Sequence, residues 1–411
     1  MAKLAINGGP RVFDKPLAVK WPQFDEKDEK AVLKVVRTGS WWRGGTLEGQ
    51  AASACGKFER EFAAFHDSPH GLCVSNGTVA VEAALRAAGV RAGDEVIVPA
   101  LSFVVSASAA LTLNAVPVFA DCDAETLQPD PASIEAAITP RTTAIVIVHF
   151  GGYPADLDRI VKIAKKHKLA LIEDCAHAQG SQWRGKGVGS YGDYGTFSFQ
   201  NSKSLTCGEG GIILARTKDL WLAAYRYHNL GRLESKGFYD FYEVSTNIRL
   251  TDLQGALLNS QFAKFKRQMN KRMSGQKYLS GLLRQIGGLD PLPEDERITR
   301  RGFYYYLLKY DAQQFKGLHR DTFREALAAE GVAIGRAYGT SINKYPLFQN
   351  MDIPAGHKLP AYKDVSMPCS EHANANVVCS VHHPLLLADR KQLKAFAQAV
   401  AKIKENVDEL L

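Results

Sequence analysis

The segment Leu169-Ala-Leu-Ile-Glu-Asp-Cys-Ala-His-Ala-Gln-Gly-Ser181 decides the fold. It opens as a short apolar run that ends in two carboxylates, Glu173 and Asp174. Immediately before it, Ala155 to Lys168 places Leu157, Ile160, Val161 and Ala164 on one face of a helix. The same rhythm recurs upstream, where β-rich runs at Gly71 to Ser75, Glu95 to Pro99, Val116 to Ala120 and Ala144 to His149 are separated by helical patterns. Near-continuous Val/Ile strands alternating with helices predict an α/β fold with a largely parallel sheet covered on both faces.

Working outward, Asp25 to Arg37 reads as a helix stopped by Gly39. Beyond Leu214 the apolar strand signal ceases: Asp219 to Leu230 reads as a helix, Gly231 to Thr246 as an aromatic, polar loop, and Arg249 to Ile286 as one long helix. Past Gly287 a second unit follows, with a strand at Gly302 to Tyr310, a helix at Asp321 to Glu330 ended by Gly331, and a last helix from Ala388 to the C-terminus. This predicts an N-terminal arm and large domain over residues 1–248, and a linking helix with a smaller C-terminal α/β domain over residues 249–411.

Composition narrows the function classes. The 411 residues are 45% apolar and 23% charged, which rules out disorder and supports a large core. The net charge of +8 is spread along the chain and not gathered into a stripe, so nucleic acid is not implied. The longest apolar stretches fall short of the about 18 residues a membrane span needs, and the N-terminus shows no secretory signal. The seven cysteines form no Cys-x-x-Cys pair and are odd in number, reading as reduced, mostly buried thiols of a cytoplasmic protein with no metal site.

Three segments carry chemistry. In Gly195-Thr-Phe-Ser-Phe-Gln-Asn-Ser-Lys-Ser-Leu-Thr-Cys-Gly-Glu-Gly-Gly211, an aromatic strand delivers Ser198 and then Lys203 into a Gly-rich turn, from which a second apolar strand, Ile212 to Leu214, departs. A lysine between strand ends forms a Schiff base if its pKa is lowered; taken alone, it also reads as a surface-loop lysine. The strand ending at Asp174 places a carboxylate where ligands of open α/β sheets gather, and a buried Asp there holds a pyridinium nitrogen protonated for an electron-sink cofactor. Val74-Ser-Asn-Gly-Thr78 runs into the helix Val79 to Ala88, a Gly-containing helix start suited to phosphate. Each signal is common by itself; the order of phosphate cup, Asp and Lys is not.

With these residues in view, the chain resembles, over nearly its whole length, the fold-type I aminotransferases of the StrS/DegT sugar-aminotransferase family. The resemblance implies a large domain with a seven-stranded-type, mostly parallel sheet between helices, and pyridoxal 5'-phosphate as cofactor. The family motif Ser-Phe-x-x-x-Lys-x-Leu-Thr-x-Gly-Glu-Gly-Gly is matched from Ser198 to Gly211. It gives Lys203 the Schiff-base role and Ser198 a phosphate contact. Glu-Asp-x-Ala, matched at Glu173 to Ala176, gives Asp174 the pyridine nitrogen, with His177 near the phenolic oxygen. Gly77 and Thr78 match the phosphate cup. Phe103, in Pro99-Ala-Leu-Ser-Phe-Val104, falls where an aromatic ring stacks on the pyridine. Thr246-Asn-Ile-Arg-Leu250 resembles the segment whose Asn reaches the neighbouring subunit's phosphate, so Asn247 implies a homodimer with shared sites. Ser245 stands where the family has Gly, and Asn247 also reads as the N-cap of the long helix.

Ser40-Trp-Trp-Arg-Gly-Gly45 and Val381-His-His-Pro-Leu-Leu-Leu387 are similar to segments of the cyclitol and aminohydroxybenzoate branch, which implies glutamine or glutamate as donor and a ketocyclitol such as scyllo-inosose, or a keto-sugar, as acceptor. Packing of Trp41 and Trp42 at an interface, and strand capping by His382 and His383, account for the same residues. A nucleotide-linked ketosugar aminotransferase, an aminohydroxybenzoate-type synthase and a non-catalytic sensor stay open. Dehydratase relatives carry His in place of the lysine, and Lys203 argues against that class. Gly180-Ser-Gln-Trp-Arg-Gly-Lys-Gly187 nearly spells a P-loop, but Gly187 stands where Ser or Thr is needed, and the glycines that follow break any helix. His149 and Tyr304-Tyr305-Tyr306 read as core or interface residues.

Overall fold

The computed structural model describes residues 3–44, 47–233, 236–237, 239–349 and 361–411. The central sheet contains β1 (His70–Val74), β2 (Glu95–Pro99), β3 (Val116–Ala120), β4 (Thr142–Val148) and β5 (Ala170–Asp174). A small hairpin follows, β6 (Gln182–Trp183) with β7 (Lys186–Gly187), and then β8 (Tyr194–Ser198) and β9 (Gly211–Ala215) complete the seven-stranded sheet in the order β1-β9-β8-β5-β4-β2-β3. Strands β3, β2, β4, β5 and β8 are parallel, while β9 runs antiparallel to both β8 and β1. The mostly parallel sheet expected from the βαβ rhythm is therefore present.

The strands read as continuous apolar runs because both faces are covered. Along β4, Ile145 and Ile147 join one core with Phe58, Phe62, Leu157 and Ile160, while Ala144 and Val146 face the other with Ala80, Ala83 and Ala84. That alternation is the period of two of a β-strand. The helices behind these cores are Ala54–Phe65 and Leu157–His167 on one side and Gly77–Ala87 on the other.

A second sheet, β10 (Leu289–Pro291), β11 (Tyr305–Tyr310) and β12 (Val378–His382), is antiparallel. It packs with Leu279 and Leu283 of the long helix and with Phe396 and Val400 of the last one.

Several boundaries differ from expectation. The long helix is Asp252–Ile286, not Arg249–Ile286, because Thr251 accepts the N–H of Gln254 and the Gln254 side chain returns to the Thr251 N–H, a reciprocal cap. That pair displaces Asn247 from the N-cap role. The strand expected at Gly302 to Tyr310 starts at Tyr305; at Gly302 the backbone lies against Gln179, and a Cβ there would stand 2.5 Å from its carbonyl oxygen. The last helix is Arg390–Glu405, started by Asp389. β12 carries no long apolar run and was not anticipated. The near P-loop segment forms the β6–β7 hairpin with no helix behind it. Among the described residues, no helix is long and apolar enough to cross a membrane.

Candidate active site

The site lies at the carboxyl ends of the parallel strands, where sheet topology gathers loops. Val74 and Ser198 both pair with Gly211, one on each side, so the helix start that follows β1 and the loop that follows β8 are neighbours. At Gly77 an added Cβ would meet the Ser198 Cβ at 2.6 Å, so a residue without one is required for this approach. Asn76 caps the helix by accepting the Val79 N–H at 3.0 Å. The N–H groups of a helix's first turn have no partners within the helix, and here that turn lines a cavity of about 720 Å³.

Asp174, Ala176, His177, Ser198, Lys203, Gly77, Thr78 and Phe103 all line this cavity. Asp174 ends β5 and is 8% exposed. Burial raises its carboxyl pKa, opposed by the Ala176 N–H, Lys203 and His149. Lys203 responds in the opposite direction: burial pulls its ammonium down to about 8, with the Asp174 charge holding it up in part. Its Nζ stands 3.9 Å from the centre of the Tyr304 ring.

The loop that carries Lys203 is held through its carbonyl oxygens. Trp21 Nε1 donates to those of Asn201 and Lys203. His383 accepts from Arg272 Nε at its Nδ1, which leaves its Nε2–H to donate to the Ser202 carbonyl at 3.0 Å; His382 Nε2 reaches the same oxygen at 3.1 Å. Arg272 Nη2 reaches the Ser204 carbonyl. Burial keeps both histidines below their ordinary pKa. His382 and His383 thus act on the lysine loop, beyond merely ending a strand.

Beneath the site, Glu173 is fully buried and accepts the N–H groups of Gly189, Tyr191 and Gly192 at 2.7–2.8 Å. His149 accepts from Ala155 at Nδ1 and donates from Nε2 to Glu173, as a core residue. Tyr306 is also core, hydrogen-bonded to Ser280. Tyr304 and Tyr305, however, line the cavity with Tyr338, Gln200 and Ser202. Gln200 and Ser202 belong to the lysine motif, whereas no local motif marks Tyr304, Tyr305 or Tyr338, which reach the site from distant segments. Asn247 is exposed, is not part of the cavity wall of its own chain, and accepts the Arg249 N–H at 3.3 Å. Trp41 and Trp42 are about half exposed.

The donor set suits a phosphorylated pyridine aldehyde. A helix start without a Cβ barrier, a buried carboxylate and a lysine of lowered pKa converge on one cavity. The model of the DegT/DnrJ/EryC1/StrS aminotransferase family matches residues 22–388. The chain belongs to that family. This aminotransferase is 37% identical over 428 residues to the L-glutamine:2-deoxy-scyllo-inosose aminotransferase of Streptoalloteichus tenebrarius, covering 99% of each chain. To the L-glutamine:scyllo-inosose aminotransferase of Streptomyces griseus it is 36% identical, over 100% of its own length and 99% of the relative. Among solved structures, 3-amino-5-hydroxybenzoic acid synthase superposes with a TM-score of 0.85 at 33% identity, covering 96% of this chain and 100% of the synthase. The fold is that of the fold-type I aminotransferases.

Proposed function

We propose that the enzyme binds pyridoxal 5'-phosphate in this cavity and transfers an amino group from glutamine, or glutamate, to the ketone of a cyclitol. The observation that carries this reading is the convergence of Gly77, Thr78 and Ser198 with Asp174 and Lys203 around one cavity. The first two and Ser198 would hold the phosphate, Asp174 the ring nitrogen in its protonated form and Phe103 one ring face, while His177, its two ring nitrogens engaged by Gly151 and Tyr338, would stand near the phenolic oxygen without bonding to it. When bound, the cofactor supplies an aldehyde that takes up the donor's amine and a ring that accepts the electron pair left when the α-proton departs.

Lys203 Nζ is the proton carrier. With a pKa near 8, it has a substantial neutral fraction at physiological pH, so it takes a proton from the donor's Cα without a separate base. The Tyr304 ring face, 3.9 Å from Nζ, would steady that proton until it is returned. The carbonyl clamps from Trp21, His382, His383 and Arg272 fix where Nζ can swing.

The acceptor class is supported by the names of the two relatives and by the Trp41-Trp42-Arg43 and His382-His383 segments. The reading also comprises a cytoplasmic homodimer in which Asn247 serves the partner's phosphate, and a division near residue 248 into cofactor-binding and C-terminal parts. The test is a donor-by-acceptor panel on the loaded enzyme, following visible absorption. A shift on adding glutamine that reverses with scyllo-inosose, and not with nucleotide-linked ketosugars, is the expected result. Reversal by nucleotide-linked sugars alone moves the enzyme to the other branch. A second reading, a synthase of the 3-amino-5-hydroxybenzoate type, draws on the 0.85 superposition; it requires an aromatic product, which ultraviolet absorption detects.

A further inference from the structure

Tyr338 lines the cavity, and the backbone that presents it is unusually constrained. Ala337, just before it, has φ +54°, a left-handed conformation rare for alanine, and Gly339 follows at φ +79°. The turn is anchored to β12: Gly335 and Ser380 exchange backbone hydrogen bonds, and the Ala337 N–H donates to Ser380 Oγ at 3.0 Å. The Tyr338 ring stands 5.7 Å from Phe103 and 5.8 Å from Phe150.

The hydroxyl is oriented as well. Tyr338 Oη lies 2.9 Å from His177 Nε2, and the Gly151 N–H donates to His177 Nδ1 at 3.3 Å. His177 is 3% exposed, and burial, reinforced by the Lys203 charge, holds its pKa well below the ordinary value, so the imidazole is neutral. A neutral ring that accepts at Nδ1 carries its proton on Nε2. The Nε2–H therefore donates to Tyr338, whose own hydrogen must point elsewhere. Burial lifts the phenol pKa well above its usual value, so that hydrogen stays in place. Gly151 can fill its part only in the left-handed turn it adopts, φ +66°, where a Cβ would strike Leu307 at 2.6 Å.

We infer that Tyr338, oriented by the Gly151–His177 relay, donates a hydrogen bond to a ring hydroxyl of the neutral acceptor and thereby selects it over other ketones. The described cavity wall contains hydroxyls, amides, aromatic faces and the carboxylates of Asp174 and Glu209, with Lys203 as its one cation, already committed to chemistry. A proton-bearing phenol among such faces suits a polyhydroxylated ring.

The inference rests on the aminotransferase reading, and the test separates the two. In cofactor-loaded Tyr338→Phe, the two half-reactions are followed by absorbance in single turnovers. With scyllo-inosose, kcat/KM for the acceptor half should fall about tenfold, while the glutamine half stays within about twofold of wild type. Equal losses in both halves, or none in either, overturn the inference. If the wild type itself shows no half-reaction with any donor, the aminotransferase reading has failed instead. Calorimetric titration of the loaded enzyme with scyllo-inositol, a ring polyol that cannot react, then decides the point: affinity about tenfold weaker in Tyr338→Phe upholds the contact, and unchanged affinity refutes it. Nitrogen-15 NMR of labelled histidine, with the His177 signal assigned by its loss in His177→Gln, tests the relay. A bare Nδ1 and protonated Nε2 support it, and the reverse tautomer overturns it.

Discussion

Lys203 Nζ stands 3.9 Å from the centre of the Tyr304 ring, and that ring stacks on His177 at 4.3 Å. An ammonium over an aromatic face is stabilised relative to the free amine, by about 0.5–2 kcal/mol depending on desolvation. The ring therefore works with Asp174 to hold the lysine's pKa up, against the burial that draws it down to about 8.

The first expectation concerns pH. Cofactor loading needs the neutral amine, so its rate should rise about tenfold per pH unit below 8 and flatten above. Stopped-flow absorbance of the cofactor-free protein mixed with pyridoxal phosphate measures this. A rate still climbing toward pH 10 would mean an ordinary lysine.

Removing either support should move that midpoint down. In Tyr304→Leu the ring face is gone, and in Asp174→Asn the charge is gone; each loss disfavours the ammonium, so each profile should flatten below pH 8. Tyr304→Phe keeps the face and should keep the midpoint.

Lys203→Ala should abolish turnover while leaving the melting temperature within a few degrees of wild type, since the side chain faces a cavity. Asp174→Asn should lose most activity and weaken cofactor binding by about 1.5–3 kcal/mol, the value of a hydrogen bond to a charged group. Equilibrium titration and turnover at saturating cofactor separate the two effects; full activity in either variant would sink the roles proposed.

Gly77→Ala places a methyl 2.6 Å from Ser198 Cβ. Crowding of this kind costs about 1–3 kcal/mol. Because it pushes apart the helix start and the strand end, cofactor affinity should drop at least tenfold, and Ser198→Gly in the same chain should recover part of it. Titration of the single and double variants checks the pair.

Asn247 sits exposed and off its own chain's cavity wall. If it serves a partner's phosphate, Lys203→Ala and Asn247→Ala chains that are each inactive at limiting cofactor should regain activity when mixed, because one site of the mixed dimer carries neither lesion. A verified heterodimer that stays inactive would rule out sharing.

The sequence made the sheet legible because its strands are buried on both faces and carry no polar interruptions; β2 and β3 fall where they were expected, and β1, β4 and β5 within two residues. The cavity residues Gly77, Asp174, Ser198 and Lys203 were legible because the first three sit at a strand or helix end and Lys203 in the loop between two strands, each inside a local pattern. Thr251-Asp-Leu-Gln254 also held the signal that would have placed the helix start correctly. Tyr304, Tyr305 and Tyr338 were not legible. They reach the cavity through contacts between segments far apart in the chain, and an aromatic residue on its own reads the same in a core as in a binding wall. β12 was missed for a related reason: Val378-Cys-Ser-Val-His382 is short and half polar, and it becomes a strand through pairing with β11.

The sheet order has a consequence for how the protein assembles. β8 and β9 form an antiparallel pair joined by the loop that bears Lys203, but β1 reaches β9 only when residue 74 meets residue 211. Closing so long a stretch of chain costs entropy, and non-local pairings of this kind slow folding. The helix start at Gly77 and the lysine loop are thus strangers until the sheet's edge is in place. A nascent or partly refolded chain in which that edge has not yet paired would retain no cofactor. The yellow colour of the loaded enzyme would then serve as a clock for the last long-range step of folding, and supplying cofactor during refolding would raise the yield of folded protein without hastening the steps that precede it.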